Sequence, residues 1–244
     1  MPVGAIVSEA WTLYREHWRH LVAIAAVVYV AVAALTLLLV VVLDDLGLFV
    51  SGVLALAGIF WVQGALVVAV QDIRDGRADL SVRQTIEAMQ PRLNALAGIA
   101  LLVLVGMFVA AFAIVIGLLL LIVPGLALIA FFCWLLVRWI LVVPVLMLEG
   151  RGVFDSFGRS AELVRGSGWS VFGVVAITVL VLFAVGIVVG LALVWLPEDA
   201  RGPVTQLVSS SLTAPFAALA WTLTYFRLRA REEPSASVGA EVPV

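Results

Sequence analysis

Six apolar runs, at about residues 21–43, 46–70, 93–123, 126–148, 169–196 and 204–226, decide what this chain can become. An α-helix rises about 1.5 Å per residue and the hydrocarbon layer is about 30 Å thick, so roughly 20 residues cross it. Every run is long enough. Closed β-barrels also span membranes, but their strands alternate polar and apolar residues, and these runs do not. Composition agrees: 64% of the 244 residues are hydrophobic and 12% charged, against about 45–50% and 25% in soluble domains. The expected fold is all-α, a polytopic membrane bundle of six transmembrane helices.

Charge sets the expected topology, because loops rich in arginine stay in the cytoplasm. Arg15 and Arg19 precede the first run, and Arg74, Arg77, Arg83 and Arg92 fill the second connection. Arg151, Arg159 and Arg165 lie in the fourth connection, and Arg227, Arg229 and Arg231 follow the last run. The odd-numbered connections hold Asp44 and Asp45, then Pro124-Gly125, then Glu198, Asp199 and Arg201. Both termini are therefore expected in the cytoplasm. The first run is longer than the apolar core of a signal peptide and reads as a retained helix.

The net charge of −2 argues against a nucleic-acid partner, which would want a basic face. All 14 basic residues are arginine. With the Ala, Val, Leu and Gly richness, this suggests a bacterial protein of the cell (inner) membrane. The single cysteine, Cys133, lies in an apolar run, so no intrachain disulfide forms.

A pattern recurs every 75 residues ahead of the first, third and fifth runs. Val7, Trp11, Tyr14 and Trp18 correspond to Val82, Ile86, Met89 and Leu93, and then to Phe157, Ala161, Val164 and Gly168. The spacing puts each set on one helix face. The chain reads as three repeats of an amphipathic, headgroup-level helix followed by two spans. Alternatively, each such helix is only a continuation of the span behind it.

Pro124-Gly125, Arg138-Trp139, Pro144, Glu149-Gly150, Ser160-Ala161-Glu162-Leu163 and Gly168-Trp169 form one motif region. Pro215 and the stretch Thr222-Leu223-Thr224-Tyr225-Phe226-Arg227-Leu228-Arg229 form another. Both resemble the membrane domain attached to some bacterial glycerophosphoryl diester phosphodiesterases, and its stand-alone relatives, over about Ser8 to Arg229. In the fused proteins the resemblance implies that catalysis belongs to a separate soluble barrel domain with paired carboxylates, histidines and a metal. That domain does not fit within this chain, so no catalytic residue, metal or cofactor is expected here.

Arg138 is the sharpest single residue, since a cation in mid-span costs about 2.5–3.5 kcal/mol on insertion scales. It is expected to face the bundle interior and pair with a carboxylate, a backbone carbonyl or water. Glu149, Glu9, Asp72 and Glu162 are the candidate carboxylates. The last span is polar at its centre, with Ser209, Ser210, Ser211 and Thr213 before Pro215. Proline removes a helix hydrogen bond, and nearby hydroxyls are expected to satisfy the freed carbonyls of a kink. Arg138, Glu149, Ser210, Ser211, Thr213 and Pro215 together make a candidate intramembrane polar site.

His17 and His20 share a face, but a metal site wants three or four ligands. Gly186 with Gly190, and Gly106 with Ala110, are expected to pack within the bundle. Trp11, Trp18, Trp61, Trp169, Trp195 and Tyr225 read as an interfacial aromatic belt. Residues 232–244 read as a disordered cytoplasmic tail.

Two functions remain open. One is a non-enzymatic scaffold or accessory module for a protein partner at the cytoplasmic face, embedded among membrane lipids. The other is a transporter or lipid-handling protein, although no span carries a mid-membrane carboxylate of the kind coupled carriers use.

Overall fold

The computed structural model describes residues 2–77, 80–120 and 122–238, which are helical throughout their long apolar segments. In chain order the helices are α1 (Val3–Arg74), α2 (Val82–Met89), α3 (Leu93–Leu120), α4 (Ile122–Trp139), α5 (Val142–Glu149), α6 (Val153–Val164), α7 (Gly168–Ala192) and α8 (Glu198–Val238). A 3-10 turn, Gln90–Arg92, joins α2 to α3. Among the described residues six segments are long and apolar enough to cross a membrane, the first two being the legs of α1, Val3–Gly47 and Val50–Arg74.

The legs of α1 fold back on each other at Asp44, whose φ of 47° leaves the helical region. Gly47 makes the reversal possible: a Cβ there would strike the carbonyl of Leu39 and approach the Cα of Val40 to 2.9 Å. The α3–α4 hairpin is equally close, because a Cβ on Gly117 would sit 3.1 Å from the Cα of Gly125. The sequence puts Pro124-Gly125 in the connection between these helices. It lies instead in the first turn of α4, where proline's missing N–H has no helical partner to lose.

The second leg of α1 and α8 form the enclosed centre, with Val62, Ala65, Leu66 and Val67 on one helix and Phe216 through Ala220 on the other buried in one core. The remaining spans ring them and turn large apolar side chains outward, including Leu37, Phe112, Leu119, Phe183 and Leu191. Such a surface suits lipid and no other solvent.

One end of the bundle gathers the arginine-rich segments. Arg227 of α8 pairs with Glu9 of α1, and the Arg74 guanidinium lies 3.8 Å from the centroid of the Phe226 ring. Here, at the basic end, the three expected amphipathic helices take different forms. The first runs without a break into its span, as the continuation alternative holds, the second bends through the 3-10 turn at Pro91, and the third is cut off from α7 at Gly166, whose φ is 78°.

The expected stripes mostly pack inward: Met89 and Val164 are buried, and Val7, Tyr14, Val82, Ile86, Leu93 and Phe157 lie against the core. Ile6 and Ala10, Thr85 and Met89, and Ser156 and Ser160 point inward, while Trp11 and Trp18 stay exposed. Small side chains let helices approach closely, and exposed indoles are the residues a membrane interface favours. Trp169 and Trp195 are also exposed, whereas Trp61 is partly buried and donates to the Leu93 carbonyl (3.4 Å), and Tyr225 is fully buried. Of the glycines expected to pack, Gly190 faces Thr205, whereas Gly186 and Gly106 have no neighbour within 4 Å of a Cβ. At the C-terminal end α8 continues to Val238, beyond the expected tail boundary at 232, and 239–244 lie outside the described residues.

Candidate functional site at the basic end

Proline shapes this end. Pro144 cannot donate to the Ile140 carbonyl, and its ring crowds that carbonyl, so the fourth span breaks at Ile140–Leu141 into α4 and α5. The displaced α5 is buried from Val142 to Met147 and ends at Gly150, which adopts the left-handed conformation (φ 70°) that glycine tolerates. Arg92, at the start of the third span, satisfies its last carbonyls: Nη1 donates to the oxygens of Leu146 and Met147, the latter at 2.9 Å.

Glu149 closes α5 and accepts from three directions. Arg151 Nε donates to Oε2 at 2.6 Å, Tyr225 Oη donates to Oε1 at 3.0 Å, and Arg159 Nε donates to Oε1 at 3.4 Å. Arg159 also donates to Glu232 through Nη1 at 3.2 Å and lies 3.6 Å from Glu162. Arg229 donates to the Tyr225 hydroxyl at 3.4 Å. Burial alone would lower the pKa of Arg159, but the hydrogen bond to Glu232 and the charge of Glu149 outweigh it and raise the value above the usual range. The network therefore ties α5, α6 and α8 with a cation that never titrates.

Arg138 occupies the last turn of α4, beside α6, and not the middle of an unbroken span. Its Nη2 donates to the Ala161 carbonyl at 3.2 Å, its own carbonyl accepts from Ser160 Oγ at 2.7 Å, and its guanidinium lies 4.7 Å from the Trp134 ring centroid. Of the expected partners, the backbone carbonyl is the one used. Glu149 and Glu162 bind Arg159, Glu9 binds Arg227, and Asp72 accepts from the Leu80 amide (3.1 Å) and lies 3.7 Å from Arg77.

Ser210, Ser211, Thr213 and Pro215 do not join Arg138 or Glu149. Ser211 and Thr213 donate to carbonyls of their own helix, Leu207 at 2.7 Å and Ser209 at 2.8 Å, and Gln206 donates to Ser210 at 3.0 Å. Neither hydroxyl reaches the Ser211 carbonyl that Pro215 frees. A neighbouring carbonyl, Leu212, accepts instead from Tyr14 Oη at 3.0 Å, and Trp11 and Tyr14 pack against Phe216. The expected single site is thus three: a bracing corner at Glu149, a bolt at Arg138, and a self-bonded stretch of α8. Sequence reasoning missed Arg92, Arg159 and Tyr225 as members. Arg159 and Tyr225 stand beside or within a motif segment and Arg92 beside the repeat position Leu93, but only the fold brings them to α5.

Between α4 and the α6–α7 junction lies a crevice of about 620 Å³, lined by Trp134 and Arg138 on one side and by Arg165, Ser167, Trp169 and Phe172 on the other. Arg231 of α8 donates to Ser167 Oγ at 3.4 Å at its edge. Among the described residues no three His, Cys, Asp or Glu side chains come together as metal ligands.

Residues 112–227 match the family model described as the membrane domain of glycerophosphoryl diester phosphodiesterase. The matched stretch holds α4 to α7 and most of α8, and with them Glu149, Arg159 and Tyr225 of the corner, the Arg138 bolt and the crevice, while Arg229 and Glu232 lie beyond it. No curated protein and no solved structure matches the chain.

Proposed function

From that membrane-domain match as premise, we propose that this chain is a non-enzymatic accessory module of the bacterial inner membrane, with both termini cytoplasmic, that supports a protein partner at its basic face. The carrying observation is the bracing of that face. Glu9–Arg227, Arg159–Glu232, Tyr225–Glu149 and Arg92 with the end of α5 link segments far apart in sequence. Glu149, the carboxylate with the densest surroundings, is committed to three donors that hold helices together, which supports a structural task for it. The distribution of arginines supports the cytoplasmic assignment.

Three equivalent units also fit this reading. Positions 75 apart share burial: Ala10, Thr85 and Ser160 are wholly inaccessible, as are Leu21, Leu96 and, nearly so, Val171. Leu66, Leu141 and Phe216 behave alike in the second spans. A threefold-repeated frame offers a stable mount.

Two measurements test the proposal. Purified protein in nanodiscs, given soluble glycerophosphodiesters and divalent cations, is expected to release no glycerol phosphate above empty nanodiscs; turnover would overturn the non-enzymatic reading. Site-directed cross-linking in native membranes from Glu87→Cys on α2 is expected to trap one protein at unit stoichiometry. Cross-links only to lipid would remove the partner.

A further inference from the structure

The crevice beside Arg138 is the feature that the accessory-module reading leaves without a task. Positions 75 residues to either side of Arg138 are Gln63 and Thr213, and both are buried and neutral. A polar residue therefore recurs at this depth in each second span, but it carries a charge only in the middle unit. The bolt to Ala161 does not explain the charge. It uses a single N–H of a group that has five, and a neutral amide could make the same bond.

The charge occurs where the frame opens. In the first unit the headgroup-level helix continues into its span, and in the second it bends through a 3-10 turn. In the third, Arg165-Gly166-Ser167 separates α6 from α7, and the resulting space is the crevice. Its volume of about 620 Å³ is within the roughly 300–1,000 Å³ usual for small-molecule sites. Arg165 is exposed and Arg138 partly so, and among the described residues no carboxylate lines the walls. Apart from Ser167 and Ser170, the rest is apolar or aromatic, including Ala130, Cys133, Trp134, Val137, Trp169 and Phe172. Trp134 and Trp169 are both more than half exposed at 51% and 88%, so this mouth faces outward from the bundle.

We propose that the crevice binds an anionic phospholipid of the surrounding leaflet, its phosphate held between Arg138 and Arg165 and its upper chains lying against Phe172 and the α4 wall. Guanidinium forks match phosphate oxygens and tolerate an apolar setting better than an ammonium would. The apolar walls favour a lipid over a free anion. A zwitterionic headgroup would bring an ammonium to walls that offer it no carboxylate. This inference goes beyond the accessory-module reading and needs no protein partner, so either can fail alone.

The test is native mass spectrometry of the full-length protein in detergent, titrated with phosphatidylglycerol, phosphatidylcholine or inorganic phosphate. One phosphatidylglycerol is expected to be retained at least tenfold more strongly than phosphatidylcholine. Arg165→Gln is expected to weaken retention about fivefold, the worth of one interfacial cation. Arg138→Gln, which copies the neutral residue of the first unit, is expected to abolish the preference while the thermal midpoint stays near wild type. Should that variant fail to assemble, Arg165→Gln decides alone, because its side chain is exposed. Equal retention of the two lipids, or unchanged preference in Arg165→Gln, would overturn the proposal. Displacement of phosphatidylglycerol by millimolar inorganic phosphate would overturn the lipid assignment in favour of a soluble anion.

Discussion

Tyr225 donates a hydrogen bond to Glu149 across 3.0 Å, joining the end of the fourth span to the end of the sixth. Both groups are largely withdrawn from water, and Arg159 completes the contact from α6. Removing one partner of such a pair leaves the others uncompensated, which typically costs about 3–5 kcal/mol. Glu149→Leu is therefore expected to lower the thermal midpoint sharply in detergent. Tyr225→Phe should cost about 1 kcal/mol. The double variant should lose less than the sum of the two, since both changes remove the same contact. Additive losses would refute the coupling.

Arg92 makes a second prediction. It meets the last carbonyls of a buried helix, groups that have no intrahelical partner. Arg92→Ala is expected to destabilise the protein by about 1–3 kcal/mol, the usual cost of an unsatisfied buried acceptor. Arg92→Lys should recover only part of this, because an ammonium lacks the planar fork that spans two carbonyls. Full recovery by lysine would show that charge alone matters.

Two glycines of the first hairpin should respond with opposite signs. Gly47→Ala drives a methyl into the Leu39 backbone and is expected to cost about 1–3 kcal/mol, as overpacking does. Gly52→Ala meets nothing within 4 Å and should gain about 0.5–1 kcal/mol through helix propensity. Thermal unfolding of the two variants side by side checks both signs.

The orientation is tested by labelling. In a Cys133→Ala background, Gly202→Cys is expected to react with an impermeant maleimide in intact spheroplasts, and Arg83→Cys only after lysis. The reverse pattern would invert the molecule in the membrane.

The spans were legible in the sequence because apolar length is a local property, and the basic end was legible because arginine counts are. The corner at Glu149 was not. Its members, Glu149, Arg159, Tyr225 and Glu232, lie up to 83 residues apart, and no spacing rule relates them. Arg138 was singled out in the sequence, but the break in its span just beyond it was not foreseen. The sequence shows one long apolar run there, and only the clash of Pro144 with the preceding turn reveals that the run is two helices. Most of the expected stripe of the three amphipathic helices does pack inward, but their wholly inaccessible positions escaped the reading for a related reason. Large apolar residues draw attention to Trp11 and Trp18, whereas close packing selects Ala10, Thr85 and Ser160.

The enclosed centre of the bundle has a consequence for how the chain is made. Its two most buried helices are the second leg of α1 and α8, and Glu9 and Tyr14 also close against α8. Until the sixth span follows, the second leg of α1 lacks the helix with which it shares the centre, so the core of a nascent chain stays half built through most of its synthesis. The core is then closed in a late step, and a ribosome that stalls before Pro215 leaves behind a ring with half of its hub.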